Sequence, residues 1–259
     1  MTVTTVNGGG VKSADRVMAV LDLVAENGSL SFGEIATRLE LPKSSAHALL
    51  QTMHARGYLT FDEHGKVYRR GTRIGELAAA HHGIEDLRTA LRPLMDALVE
   101  RTGETVQLAI LDGIGAVYLE QSQSPHPMKL TSGAGVRLPA HASAIGKALL
   151  ATLDPAEAAR RLDGAALVRL TDNTIGDAQR LLDELERVRR QGYSLDNEEF
   201  AIGLRCVAMA VRDAQGKPVA AMSVSMPTPR YNRTVMANAR KALAETVAQA
   251  TERLGRWRD

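Results

Sequence analysis

Near the start of the chain, Val17, Val20, Leu21 and Val24 recur at helical spacing behind Ser13, a residue able to cap a helix, and Asn27-Gly28 closes the run. Ser31 opens a second, short helix. Ile35 and Leu39 share one of its faces, and Glu34 stands at the capping-box position. Leu41-Pro42 interrupts the pattern, and Pro42 suits the first turn of a third helix that runs to about Arg56 and stops at Gly57. Ala46, Leu49, Leu50 and Met53 form its inward stripe. Two short β-rich stretches follow, Tyr58-Leu59-Thr60-Phe61 and Lys66-Val67-Tyr68-Arg69, around the polar turn Asp62-Glu63-His64-Gly65. Three helices and a hairpin predict a winged helix-turn-helix.

A long helical pattern then covers about residues 75–101, interrupted near His82-Gly83 and bearing Pro93. From Thr105 the period changes to two. Residues 106–111 and 116–120 read as strands about the turn Asp112-Gly113. Residues 144–151 predict a buried helix, 178–191 an amphipathic helix ended by Gly192, and 207–212 and 219–226 two strands about the turn at Asp213-Ala214-Gln215-Gly216. A last amphipathic helix spans 233–254. Helices flanking antiparallel hairpins predict an α+β domain with a mixed or antiparallel sheet. The expected organisation is an arm over 1–11, the winged helix-turn-helix over 12–73, connector helices over 74–101 and a sensor domain over 102–259. No internal repeat is visible.

Charge sharpens this division. The chain of 259 residues carries a net charge of +2, and all of the excess lies before residue 74, where nine Lys/Arg face seven Asp/Glu. Within residues 42–73 the balance is six to two. A compact basic patch on an otherwise neutral chain fits a phosphate footprint or an ordinary solvated face. The helix content decides between them. The third helix carries Lys43, Ser44, Ser45, His47, Gln51, His54 and Arg56 and no acid, and the hairpin adds His64, Lys66, Arg69 and Arg70. Ser and Gln can bond base edges, and Lys, Ser and the helix start can hold phosphates, so the expected partner is double-stranded DNA. The alternative, a winged helix used for protein contacts, does not explain the missing carboxylates.

Other classes drop out. The single cysteine, Cys206, excludes an intrachain disulfide. No apolar run reaches the length of a membrane span, and the first ten residues lack the basic and apolar regions of a secretory signal, so a cytoplasmic protein is expected. His141 and Ser143 lie close in sequence, but no Gly-x-Ser-x-Gly elbow and no glycine-rich phosphate loop is present, so no enzyme and no cofactor is expected. The spacing of His81-His82 is no metal motif. Zinc on surface histidines such as His126 stays open.

Several segments stand in order: Ser13-Ala14-Asp15-Arg16-Val17, Leu41-Pro42-Lys43-Ser44-Ser45, Gly57-Tyr58-Leu59 and Tyr68-Arg69-Arg70-Gly71 in the first part of the chain. Thr102-Gly103-Glu104-Thr105-Val106, the run from Leu138 to Ala148, the run from Gly192 to Glu199 and the run from Gly203 to Ala208 follow. Together they resemble the IclR family of bacterial transcription regulators. Gly192, Asp196, Glu199, Cys206, Val207 and Ala208 fit the family's C-terminal signature. Arg212 departs from it, standing where an aromatic residue or His is usual, at a strand end where little effect on the site is expected.

The resemblance implies a GAF-like effector domain, dimers or dimers of dimers, and a small metabolite, often a carboxylate, as effector. It leaves repression and activation both open. By similarity the effector pocket maps onto Leu130, Leu138, Ala144, Ile145, Asp196, Leu204, Cys206, Ser223 and Ser225. The residues agree in part. Leu204 and Cys206 share a strand face, as do Ser223 and Ser225, whose hydroxyls sit in an apolar run and need partners. A ligand carboxylate or neighbouring backbone would serve, and the helix-start amides at Ala144 and Ile145 could face an anion. Asp196 either caps a turn or meets a ligand hydroxyl or a backbone amide. Cys206 is either a small buried residue or a redox sensor. The expected function is a transcription regulator whose operator affinity responds to an organic acid. The alternative is a ligand-independent DNA-binding or interaction protein on the same fold, which a pocket filled by its own side chains would favour.

Overall fold

A computed structural model of the chain describes residues 11–79, 82–130 and 133–255. The expected arm before Val11, and His81, lie outside the described residues. The chain divides into two compact units after His82.

In the first unit, α1 (Lys12–Asn27) begins one residue before Ser13, so Ser13 sits inside the first turn and caps nothing. β1 (Ser29–Ser31) leads into α2 (Phe32–Arg38), and Ser31 forms the expected capping box. Its Oγ accepts from the Glu34 amide, and its own amide donates to Glu34 Oε2 at 2.8 Å. Pro42 stands immediately before α3 (Lys43–Ala55), where its missing N–H costs no bond. β2 (Leu59–Asp62) and β3 (Val67–Arg70) are the hairpin, and β1 adds to β3 in the order β1-β3-β2. The third strand escapes sequence reading because three residues of Ser-Leu-Ser carry no alternation to count. Val20, Val24, Ile35, Leu50, Met53 and Leu59 make the core. α4 (Thr72–Ala79) completes the unit, behind Gly71, where a Cβ would lie 2.0 Å from Gly57 O.

α5 (His82–Thr102), which contains Pro93, lies in the second unit from Gly83 onward. The 74–101 pattern is thus two helices, one in each unit. β4 (Thr105–Asp112), β5 (Gly115–Ser122) and β6 (Arg137–Pro139) precede three helices, α6 (Ala144–Leu150), α7 (Pro155–Leu162) and α8 (Ala178–Gln191). β7 (Ser194–Asn197), β8 (Leu204–Arg212), β9 (Pro218–Pro227) and α9 (Arg233–Gly255) follow. The strands form one antiparallel sheet in the order β6-β5-β4-β9-β8-β7.

Alternation along these strands makes two different faces. Val106, Leu108, Val207, Met222 and Val224 point to one, where α5 and α9 cover them with Leu91, Met95, Leu98 and Leu243. Ala109, Cys206, Ala208 and Ala221 point to the other, under Ala144, Ile145 and Ala148 of α6. The small side chains on this second face leave space beside α6. Among the described residues, no helix is long and apolar enough to cross a membrane.

Candidate functional site

In α3, Ala46, Leu50 and Met53 face the core, and the helical period turns Ser44, Ala48, Gln51 and Ala55 the opposite way. Lys43, His47 and His54 flank this outward stripe on one side, and Ser45 and Arg56 on the other. All seven candidate readers on α3 are exposed, as are Lys66, Arg69 and Arg70 on the hairpin. Three of the ten are partly engaged within the unit, His47 by an edge contact of its ring with that of Phe32. The His54 ring donates from Nδ1 to Leu59 O at 3.1 Å, and Arg69 pairs with Asp62 at 3.2 Å. Asp62 also accepts the His64 and Gly65 amides, which shape the turn and hold its carboxyl below the usual range. Ala48 and Ala55 were passed over in the sequence. Their small side chains on the outward stripe let the helix approach a surface closely.

In the second unit one cavity collects all nine residues expected in the pocket, together with Tyr118, Ser143 and Phe200. The sheet supplies its floor. Asp196 on β7 pairs in register with Cys206 on β8, Cys206 with Ser225 on β9, and Ala208 with Ser223. Directly paired residues share a face, so this register aligns the polar groups in a band. Ser143, Ala144 and Ile145 at the start of α6 form the roof, and the half-buried Leu130, Leu138 and Phe200 form the outer wall. The free space is about 10 Å³, room for about one water, so the cavity is nearly filled by its own side chains.

Each polar group has a defined neighbourhood. Ser223 and Ser225 both donate to Gln107 Oε1 on β4, each at 2.9 Å. In the structure their hydroxyl protons are therefore taken by a side chain and not by the backbone. Gln107 is fully buried and was missed in the sequence reading. The available signal was its polar side chain within a run of apolar strand residues. Asp196 Oδ1 accepts the Glu199 amide at 2.7 Å and the Phe200 amide at 3.3 Å, so the residue caps a turn while lining the cavity. Burial, reinforced by the charge of Glu199, pushes its carboxyl up to about 7, against the pull of the two amides and of Lys147. Burial likewise pushes the Cys206 thiol well above its ordinary value, which keeps it protonated and disfavours redox sensing.

Behind Asp196 lies a second polar layer. Lys147 Nζ on α6 meets both oxygens of Glu199 at 2.6 Å, with Glu184 of α8 at 3.8 Å. The Ser143 hydroxyl accepts the Gly146 amide at 3.2 Å and caps α6, next to the Ala144 and Ile145 amides expected to face an anion. α6 has only seven residues, which weakens the case for an anion at its start. His141 donates from Nε2 to Val168 O at 3.0 Å, so it does not address Ser143. Arg212, the departure from the family pattern, is exposed at the end of β8, donates to Gly216 O, and does not line the cavity. No group of three or more His, Cys, Asp or Glu among the described residues is placed to hold a metal ion.

A winged helix-turn-helix with an acid-free outward helix, followed by a GAF-like α+β domain, is the architecture of a DNA-binding transcription regulator. The chain belongs to the IclR family. Residues 13–63 match the IclR helix-turn-helix domain, and residues 79–252 match the IclR C-terminal domain of bacterial transcriptional regulators. It is 36% identical over 249 residues to the HTH-type transcriptional regulator BhcR of Paracoccus denitrificans, covering 96% of this chain and 88% of that one. It is 34% identical over 234 residues to the transcriptional repressor IclR of Escherichia coli, covering 86% of this chain and 82% of that one. An IclR homologue from Microbacterium hydrocarbonoxydans, crystallised with 4-hydroxybenzoate, superposes with a TM-score of 0.81 at 26% identity, covering 93% of this chain and 98% of that one. These relatives regulate transcription, and the family is not enzymatic.

Proposed function

We propose that this regulator binds a pseudo-palindromic operator in the cytoplasm as a dimer or a dimer of dimers, and that a small organic acid held in the cavity changes its operator affinity. The supporting observation is the convergence of the nine residues named from sequence on one cavity, with a buried polar floor and a half-buried apolar wall. The Microbacterium homologue, which binds an aromatic hydroxy acid, supports the same chemistry. On this reading Ser44, Ser45 and Gln51 address base edges, Lys43 and Arg56 the phosphates, and Lys66, Arg69 and Arg70 the backbone or minor groove. His47 and His54 flank the reading face. Ligand favours one arrangement of the 74–101 helices and thereby alters the spacing of the two recognition helices. The coupling required is about 1–3 kcal/mol.

A second reading, a ligand-independent regulator, is favoured by one observation, the near absence of free space in the cavity. Melting temperature against a panel of small organic acids separates the two. A ligand at 100 times its Kd adds about 2.7 kcal/mol to the native state, a shift of several degrees. The expected result is such a shift for one ligand class, diminished in Ser225→Ala, with operator affinity changed by the same ligand. Unchanged melting with every acid, at unchanged operator affinity, would leave the ligand-independent reading standing.

A further inference from the structure

β7 pairs with β8 only as far as Ser194 and Ala208, whereas β8 runs on to Arg212. β7 is the last strand of the sheet, so the end of β8 has a strand on one side only. The register tells which backbone groups are left over. Just past β7, the Glu198 amide donates to Leu204 O. In an antiparallel sheet the residues of a strand bond to its two neighbours alternately. Leu204, Cys206 and Ala208 therefore address β7, and Ala210 turns its N–H and C=O to the same side, where no strand lies. The cause is local. Gly192 ends α8 in the left-handed conformation, at φ 79°, and β7 starts two residues later, so the helix occupies the chain where the strand would have continued.

A groove lies along this open edge, with free space of about 370 Å³, and none of its lining residues lines the cavity described above. Ala148 and Ala151 of α6, Leu153, and Val188 of α8 give it apolar walls, and Ala210 and Arg212 form its β8 side. Its charged residues differ in how they are engaged. Asp154 caps α7 by accepting the Ala156 amide, and the positive end of that helix offsets its charge. Arg189 donates to Ala151 O and Leu153 O and pairs with Glu186, which fixes the wall. Arg212 is exposed, donates to Gly216 O, and pairs with no carboxylate among the described residues. An extended chain laid in the groove would meet a backbone donor and acceptor, space between small apolar side chains, and one uncompensated positive charge. We propose that this edge of the second unit docks an extended acidic segment of a partner protein as an added strand beside β8, with a carboxylate of that segment on Arg212.

The test sets the full chain against a library of random heptapeptides displayed on phage, and the enriched peptides are synthesised for fluorescence polarisation. The expected sequences alternate small or β-branched residues and carry an Asp or Glu. Two variants address the two halves of the contact. Ala210→Pro removes the N–H that faces the open edge and leaves the bonds of β8 to β9 in place, a position where proline is tolerated. It should weaken the peptides at least tenfold. Arg212→Glu changes an exposed side chain, so it remains decisive if the proline variant does not fold. It should weaken the acidic peptides at least tenfold and prefer their Lys counterparts. Enrichment of no sequence overturns the proposal, as do peptides that bind both variants as they bind the parent. Self-association of the parent that is lost in Ala210→Pro also overturns it, because a second copy of this chain would then hold the edge.

Discussion

Asp196 is the residue whose chemistry depends most on its surroundings. Its carboxyl gives up its proton near 3.8 in an ordinary setting and near 7 in the folded cavity. Between those values the folded state binds more protons than the unfolded chain, so raising the pH through that window costs stability. The cost is complete above about pH 7 and vanishes below about pH 4. Three pKa units correspond to at most about 4 kcal/mol, less after relaxation of the site. Asp196→Asn keeps the oxygen that accepts the Glu199 and Phe200 amides and removes the charge. The variant should match the parent in urea denaturation at pH 4 and exceed it at pH 8. An equal difference at both pH values would show that no buried charge is being carried. The sequence identified Asp196 as capping or lining, and it does both. Gln107 stayed hidden for a topological reason. β4 and β9 are more than a hundred residues apart, and nothing local to Gln107 shows that two serines face it.

The longer elements were readable because they repeat their period often enough. α3, α8, α9 and the four long strands fall within a few residues of expectation, and the capping box at Ser31 fixed the start of α2. The missed strands β1, β6 and β7 have three or four residues and owe their form to partners elsewhere, whereas α7 had a local signal in its Asp154 cap and Pro155 at the first position. β7 matters most, because it brings Asp196 beside Cys206. What holds its following turn near α6 is the ion pair of Lys147 with Glu199, both buried. Removing one partner of a buried pair leaves a charge with no compensation, at a cost of about 3–5 kcal/mol, whereas replacing both by apolar side chains can be neutral. Lys147→Met should therefore destabilise the protein by that amount in chemical denaturation, and Lys147→Met with Glu199→Leu should recover most of it. A single variant within about 1 kcal/mol of the parent would mean that the pair does not tie α6 to β7.

At the scale of the molecule, the charge asymmetry and the two compact units divide the work. The basic excess lies before residue 74, and the neutral remainder contains the cavity. This division makes a separable prediction. Lys43 is exposed at the first position of α3, with no acid on that helix to neutralise it. Each phosphate neutralised by a cation releases condensed counterions, so one lost contact lowers the slope of log affinity against log salt by about 1. Lys43→Glu should weaken binding to operator and to unrelated duplexes alike, lower that slope, and leave the acid-induced melting shift as it was. Because the lost contact reads charge and not base sequence, the ratio of specific to non-specific affinity should hardly change. A variant that lost only operator binding would place Lys43 on a base edge instead. One that kept full affinity at every salt concentration would remove α3 from the interface and leave the basic hairpin to carry it.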